Sequence, residues 1–494
     1  MNASATFPLR VAGLTIDPVR RRISGPDGEV PVEPLVMQLF LHLIDRQGEV
    51  LQRRELFHHL WGNAQVGDDS LNRLVGGLRK ALERTGGGAV QVETVPRLGY
   101  RLIVEPAVTS APSTTRRSLI AAGASSMLVF GGAGLWLARS NASAEAAHWV
   151  ERGDVLLRDA VPLEAGEAVP PLRSALKVDP GNAKALGLLA LAEETRAFNG
   201  GSTNAGETLR IAEKAAKASL RIDPNEPHAR LALLDISAGS IDWLQMDDRL
   251  QALRASAPRN VHVLGSLTSF LQAAGRTSQS WVYNEQAAAA APSSPTPLWR
   301  RALRLWTAGR TREALNLSER LLPLWPRHAL VWNARFMILA FSGRTGAAAA
   351  MLSDTVAAAG NAHPAKTEQW LPTLAAFAEP SRANLHKARE ANLASARRNP
   401  GQATYAAMVL SQLGEIDAAY QVIEALLLSK GPLVSSRPIA PLSFVANSPG
   451  WCRTQWLFMP PLAAVRRDPR FKTLCEELGL ARYWRQTTIR GVHP

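Results

Sequence analysis

Pro224, Pro258, Pro292 and Pro326 are each 34 residues from the next, and Gly275, Gly309 and Gly343 keep the same interval. A chain that returns proline and glycine to fixed places in this way repeats one structural unit. Proline stops a helix because it lacks an N–H and clashes with the preceding turn, and glycine supplies the left-handed backbone of a tight turn. Each unit therefore reads as a helical hairpin with glycine at its inner turn and proline at its end. One hairpin cannot bury its apolar side alone, so neighbours stack around a shared core and the stack curves around a groove. Pro180 lies 44 residues before Pro224, and the extra ten are assigned to an enlarged inter-helix turn around Asn199 to Gly206. Beyond Gly360 the period blurs, although Leu413-Gly414-Glu415 followed by Ala418 marks one more degenerate unit. Trp299 and Trp332 fall at or beside the large-residue position and are expected in the core between helices.

With Ala212, Ala314 and Ala348 at matching small positions, the pattern resembles tetratricopeptide repeats. The resemblance implies an α-solenoid over residues 139–430 whose groove takes a peptide or protein ligand. Residues 431–494 are expected to form a helical cap. The cap holds Cys452 and Cys475, the two cysteines of the chain. They are too few for a disulfide framework or a four-thiolate zinc site, and enough for one bridge in an oxidising compartment.

Ser118 to Ala138 runs 21 residues without a charge, between Arg116 and Arg117 on one side and Arg139 on the other. At 1.5 Å per residue it matches the roughly 30 Å hydrocarbon core of a bilayer, so residues 118–138 are expected to be a transmembrane helix. A buried helix of a soluble domain is the alternative. The spacings Ala122 to Ser126 and Gly134 to Ala138 suit close packing of two such spans. Residues 106–117, rich in Pro, Ser and Thr, read as a flexible linker.

Of the net charge of +14, only +3 lies before Ser118, where 15 Lys and Arg face 12 Asp and Glu. Bulk charge therefore does not locate a nucleic-acid surface, and the case rests on particular residues. Residues 7 to 31 alternate short apolar runs with turn signals, as an antiparallel sheet does. Val36, Leu39, Phe40 and Leu43 keep helical spacing, a second helix covers about Arg53 to Trp61, and Asp68-Asp69-Ser70 opens a third that runs from about Leu71 to Arg84. Leu71, Leu74, Val75, Leu78 and Leu82 make one apolar face of it and leave Asn72, Arg73, Gly76, Arg79, Lys80 and Arg84 on the others. Val90 to Val104 then reads as a hairpin tipped by Pro96-Arg97-Leu98-Gly99. A basic helix beside an arginine-tipped ribbon is the design of a winged helix-turn-helix.

Gly48-Glu49-Val50, Arg54-Glu55-Leu56, Leu60-Trp61-Gly62, Leu78-Arg79-Lys80-Ala81-Leu82-Glu83, Thr94-Val95 and Gly99-Tyr100-Arg101 carry the resemblance of residues 1–105 to the winged-helix domain of OmpR/PhoB-type response regulators. Followed by a linker, a span and a further domain, the order resembles the ToxR/CadC class of membrane regulators. The fold expected is mainly α: an N-terminal α/β winged helix-turn-helix, one transmembrane helix and a C-terminal α-solenoid of tetratricopeptide-like repeats. The resemblance places Ser70, Asn72, Arg73, Arg79 and Lys80 toward double-stranded promoter DNA and Arg97 in the minor-groove wing, with the loop Gly62 to Gly67 meeting RNA polymerase. Gly76 and Gly77 stand where relatives often carry base-reading side chains, and a dimer on repeated half-sites is expected to recover the affinity. It further implies a single-pass protein of the bacterial inner membrane, N-terminus cytoplasmic, with an extracytoplasmic sensor.

Two other functions remain open on these residues: a soluble cytoplasmic winged-helix/repeat regulator, and a repeat scaffold that binds DNA weakly. No Walker-type loop, His-Glu-x-x-His, Gly-x-Ser-x-Gly or kinase signature occurs, so neither an enzyme nor a cofactor or metal site is expected. His58 and His59 are adjacent on a helix and face different ways, which suits no metal pair.

Overall fold

The computed structural model describes residues 9–18, 20–61, 68–86, 88–95, 98–104, 129–159, 161–199, 204–238, 242–353, 364–398, 400–433 and 450–489. The chain divides into two compact units, the first made of Met1–Ala144 with Ala291–Ser293 and the second of Glu145–Ala290 with Ser294–Pro494.

In the first unit β1 (Leu9–Val11), β2 (Leu14–Asp17), β3 (Arg22–Gly25) and β4 (Gly28–Pro31) form an antiparallel meander. Ile16 pairs with Ile23 and Ile23 with Val30, so one face of the sheet is apolar and buried. Helix α1 (Pro34–Asp45) opens on a proline, whose missing N–H has no partner to lose in a first turn. It buries Val36, Leu39, Phe40 and Leu43. After β5 (Val50–Gln52) come α2 (Arg53–Trp61) and α3 (Asp68–Arg84), then the hairpin β6 (Val90–Val95) and β7 (Gly99–Val104). The second sheet has the order β5-β7-β6. Leu71, Leu74, Val75, Leu78 and Leu82 are all buried on the inner face of α3, as their spacing requires. Gly99 is where β7 meets β5, and a Cβ there would collide with the Leu51 carbonyl.

The expected transmembrane helix is overturned. Among the described residues no helix is long and apolar enough to cross a membrane. Residues 118–128 lie outside the described residues, and residues 129–138 open α4 (Val129–Asp159), a helix of 31 residues. That helix reaches Arg139 after ten residues, or about 15 Å, and then takes on Glu145, Glu151, Arg152 and Asp154. Counting uncharged residues hid how many of them are Gly, Ala and Ser, which contribute little apolar surface.

The second unit is a run of antiparallel hairpins. A short 3-10 turn (Pro162–Ala168) leads into α5 (Val169–Val178), followed by α6 (Ala183–Phe198) with α7 (Ala205–Ile222) and α8 (Pro227–Ile236) with α9 (Trp243–Ser256). Three further hairpins follow the α8 and α9 pair at the 34-residue period: α10 (Val261–Ala273) with α11 (Thr277–Ala290), α12 (Pro295–Thr307) with α13 (Thr311–Leu321), and α14 (Ala329–Phe341) with α15 (Thr345–Ser353). Their inner turns place Gly275, Gly309 and Gly343 at φ 77°, 74° and 77°, the left-handed conformation that glycine adopts without a Cβ clash. The period loosens in α16 (Pro364–Ala378) with α17 (Arg382–Arg398), and returns in α18 (Ala403–Gln412) with α19 (Ile416–Leu427), where Gly414 has φ 81°. The extra residues before Pro224 go partly into helix: α6 and α7 have 16 and 18 residues against 13 and 14 in α10 and α11. Trp299 and Trp332 are buried as expected.

The C-terminal segment, with 3-10 turns at Gly450–Phe458 and Pro460–Leu462 and helices α20 (Ala463–Arg467), α21 (Arg470–Glu477) and α22 (Leu480–Ile489), does more than cover the last hairpin. Tyr420 Oη donates to the Val465 carbonyl at 3.1 Å, which fixes the segment to α19. Trp484 Nε1 donates to the Ala274 carbonyl, and the Trp243 indole to the Leu478 carbonyl, each at 2.8 Å. The segment thus ties the last hairpin back to α9 and α10, around Tyr483 buried with Asp247 and Arg276. Cys475 is a free thiol 1% exposed, so the bridge allowed for above is not made, and burial pushes its pKa up to about 12. The side chain of Cys452 lies outside the described residues.

Candidate nucleic-acid interface

Helix α3 has an outer face made of Asn72, Arg73, Lys80, Glu83 and Arg84, all exposed, with Gly76 at its centre. Arg73, Lys80 and Arg84 have no hydrogen bond or ion pair among the described residues. Three unpaired cations on one helical face present charge to an anionic partner, and the single carboxylate of Glu83 only partly offsets it. A Cβ at Gly76 would meet nothing within 4 Å, whereas one at Gly77 would touch Val36 of α1 at 3.4 Å. Only Gly76 therefore leaves bare backbone on the outer face, and Gly77 serves the packing of α3 against α1.

Arg79 corrects the sequence expectation. It is half-buried and turned to the hairpin, where Nε and Nη2 donate to the Val92 carbonyl at 3.0 and 2.7 Å and Nη2 also donates to Thr94 Oγ1 at 2.8 Å. Its place beside the apolar stripe, one turn after Val75, aims it at β6 rather than outward. Asn72 has a double role: its Oδ1 accepts from Arg53 Nη2 at 3.1 Å and from Tyr100 Oη at 2.8 Å. Arg53 Nη1 also donates to Tyr100 Oη at 2.9 Å, so the start of α2, the start of α3 and the central strand β7 meet in one polar cluster. Asn72 is exposed, and its Nδ2 amide has no partner among the described residues. Arg53 and Tyr100, which periodicity assigns to no role, are what set the angle of α3. Ser70 is half-buried near the start of α3, while Arg97 and the loop 62–67 lie outside the described residues. His59 stacks on His42 at 3.8 Å between ring centres, which is a packing contact between α2 and α1.

In the second unit the groove side is lined by the first turns of the leading helices of successive hairpins, and α4 runs across them. Asp154 Oδ1 accepts from His262 Nε2 at 2.7 Å and Lys184 Nζ stands 3.4 Å from Oδ2. One turn on, Thr296 Oγ1 donates to the Arg158 carbonyl at 3.1 Å and His328 Nε2 to the Asp159 carbonyl at 3.0 Å. Part of the groove expected to hold a ligand is thus held by the chain's own helix. Burial depresses the His262 and His328 imidazoles below their usual range. Burial raises the Asp154 carboxyl, but the His262 hydrogen bond and the charge of Lys184 outweigh it and hold the group well below the usual carboxylate range. Deeper in the same groove Glu194 and Asp235 are both buried; desolvation and their mutual charge lift Glu194 well above its usual range, and desolvation brings Asp235 to about 7.

Residues 27–102 match the family described as transcriptional regulatory protein, C terminal. Over 97 residues the chain is 30% identical to the transcriptional activator CadC of Escherichia coli (strain K12), a match that covers 19% of each protein. The solved DNA-binding domain of that protein matches with 30% identity over 20% of this chain and 95% of the domain, at a TM-score of 0.19. Over 96 residues the chain is 34% identical to the phosphate regulon transcriptional regulatory protein PhoB of Shigella flexneri, covering 19% of this chain and 41% of that one. The chain therefore spans less than half the length of these curated relatives. A solved structure described as YrrB, a TPR protein with an unusual peptide-binding site, matches at 14% identity and a TM-score of 0.27 over 38% of this chain and 92% of that one.

Proposed function

We propose that this chain, whose N-terminal domain is of the OmpR/PhoB type and homologous to the DNA-binding domains of CadC and PhoB, regulates transcription by holding duplex DNA on the outer face of α3 while its tetratricopeptide-like unit receives a peptide or protein partner. One observation carries the reading: Arg73, Lys80 and Arg84 stand unpaired on the outer face, while the polar groups beside them are committed to fixing that face against the hairpin. A major groove about 12 Å wide admits one helix, and phosphate contacts from flanking Arg and Lys set its register. Asn72 Nδ2 is the group best placed to read a base edge, because its oxygen is already held. With glycine at position 76, few bases are read directly by one domain. Two chains on adjacent half-sites recover the affinity through effective concentration. The loop 62–67 is assigned to contact with RNA polymerase. This activity places the N-terminal unit in the compartment that holds the chromosome.

The test is selection of bound sequences from a random duplex pool by the full chain. A repeated half-site is expected to be enriched by the wild type and not by the Arg73→Ala, Lys80→Ala double variant. Enrichment of the same site by both would reject the assignment of DNA contact to this face.

A further inference from the structure

His228 and His262 are 34 residues apart and so occupy the same place in successive hairpins, the first turns of α8 and α10. Stacking brings the two rings to 5.3 Å between centres. Helix α4 lays Asp154 across them, so that one ligand atom each from Asp154, His228 and His262 lie within 4.8 Å of one another. A carboxylate and two imidazoles are the donor set of three-ligand zinc sites that keep a fourth position open. A tetrahedral site needs these atoms at roughly 3.4 Å from one another, so binding requires the 2.7 Å contact of Asp154 with His262 to open and the His228 ring to draw in.

The neighbours are arranged as a metal site requires. His228 Nδ1 donates to Glu226 Oε1 at 2.7 Å, and its Nε2 accepts from Asn260 Nδ2 at 2.9 Å. That pattern fixes the tautomer with the lone pair on Nε2, where a metal would displace Asn260, and a carboxylate behind the opposite nitrogen is the usual support of a metal-bound histidine. Lys184 uses Oδ2 of Asp154 and leaves Oδ1 toward His262. A cavity beside the cluster is lined by Asp154, Asp223 and Glu226 and by Arg158, Lys184 and Arg259, three carboxylates against three cations.

We propose that Asp154, His228 and His262 bind a borderline-soft divalent cation, zinc in the first instance, that fastens α4 to the first turns of α8 and α10. On binding, the His262 ring proton moves from Nε2 to Nδ1, and the metal takes the place of two hydrogen bonds, that of His262 to Asp154 and that of Asn260 to His228. The site gives the groove a metal-dependent lock on the segment that partly fills it. It is independent of the DNA assignment above, and neither stands on the other.

The untagged full chain, freed of metal with a chelator, is titrated with zinc against a chromophoric competitor and separately loaded with cobalt. One ion per chain is expected, with Asp154→Asn and His262→Gln each weakening it at least about 100-fold and Glu226→Gln about 10- to 100-fold. Cobalt on the wild type is expected to give the intense visible bands of a four-coordinate site. Equal stoichiometry and affinity in Asp154→Asn, or the weak bands of six-coordinate cobalt in the wild type, would overturn the proposal. The wild-type spectrum keeps the test decisive even where a variant folds poorly.

Discussion

Arg79 grips the Val92 carbonyl with two of its nitrogens and Thr94 with one of them, so the helix expected to enter the groove and the strand that leads to the wing tip move as one body. Hydrogen bonds from a charged donor contribute about 1.5–3 kcal/mol each where they are shielded. Arg79→Ala is therefore expected to destabilise the N-terminal unit by about 2 kcal/mol and to weaken DNA binding further than a lost surface charge would. Arg79→Lys should fail to restore it, because an ammonium cannot reproduce the planar fork. Chemical denaturation paired with DNA titration checks both. Full rescue by lysine would mean that Arg79 acts through its charge alone.

Gly76 and Gly309 both face open space, yet the same substitution should move stability in opposite directions. Gly76 is in a regular helix, where alanine is favoured by about 1 kcal/mol. Gly309 has φ 74°, where a Cβ costs about 1–2 kcal/mol. Thermal unfolding of Gly76→Ala and Gly309→Ala should show a gain and a loss, respectively. DNA affinity of Gly76→Ala should stay within about twofold of wild type if the bare backbone makes no contact of its own.

The buried pair Glu194 and Asp235 makes the repeat unit sensitive to pH. Both acids are raised in the folded chain, Asp235 to about 7, against roughly 4 when unfolded. The folded state thus holds protons that the unfolded state has released, and their contribution is complete below about pH 4 and lost as the pH rises through 7. Between pH 5 and pH 8 this pair should lower the stability of the repeat unit by on the order of 3 kcal/mol, against the opposite pull of the depressed His262 and His328 imidazoles, so its effect is read as the difference between the wild type and Asp235→Asn. Asp235→Asn should flatten that dependence and raise the midpoint at pH 8. A pH dependence that Asp235→Asn leaves unchanged would contradict the assignment.

The hairpins of the second unit were legible in the spacing of Pro224, Pro258, Pro292 and Pro326, because a backbone need recurs in register with the residue that meets it. The apolar stripe of α3 was equally plain. What periodicity cannot show is which neighbour a polar residue meets. It places Arg79 off the apolar face and is silent on whether DNA or Val92 receives it. Asn72, Arg53 and Tyr100 come together from separate elements, so their cluster exists only after folding. Asp154 and His262 are 108 residues apart, and no local pattern joins them. The 34-residue interval between His228 and His262 is nevertheless plain in the sequence, because equivalent places in successive hairpins come together on stacking. The span at 118–138 misled because absence of charge is a weaker requirement than apolarity sustained over a whole helix, and α4 does not sustain it.

The most direct test of DNA recognition by α3 is the salt dependence of affinity for the selected duplex, measured for the wild type and for Arg73→Ala, Lys80→Ala. Each phosphate neutralised by a cation adds about −0.9 to the slope of log K against log salt concentration. Both residues are exposed and unpaired, so the double variant should unfold at the wild-type temperature while its slope becomes shallower by about 2. An unchanged slope would show that DNA is held elsewhere on the protein.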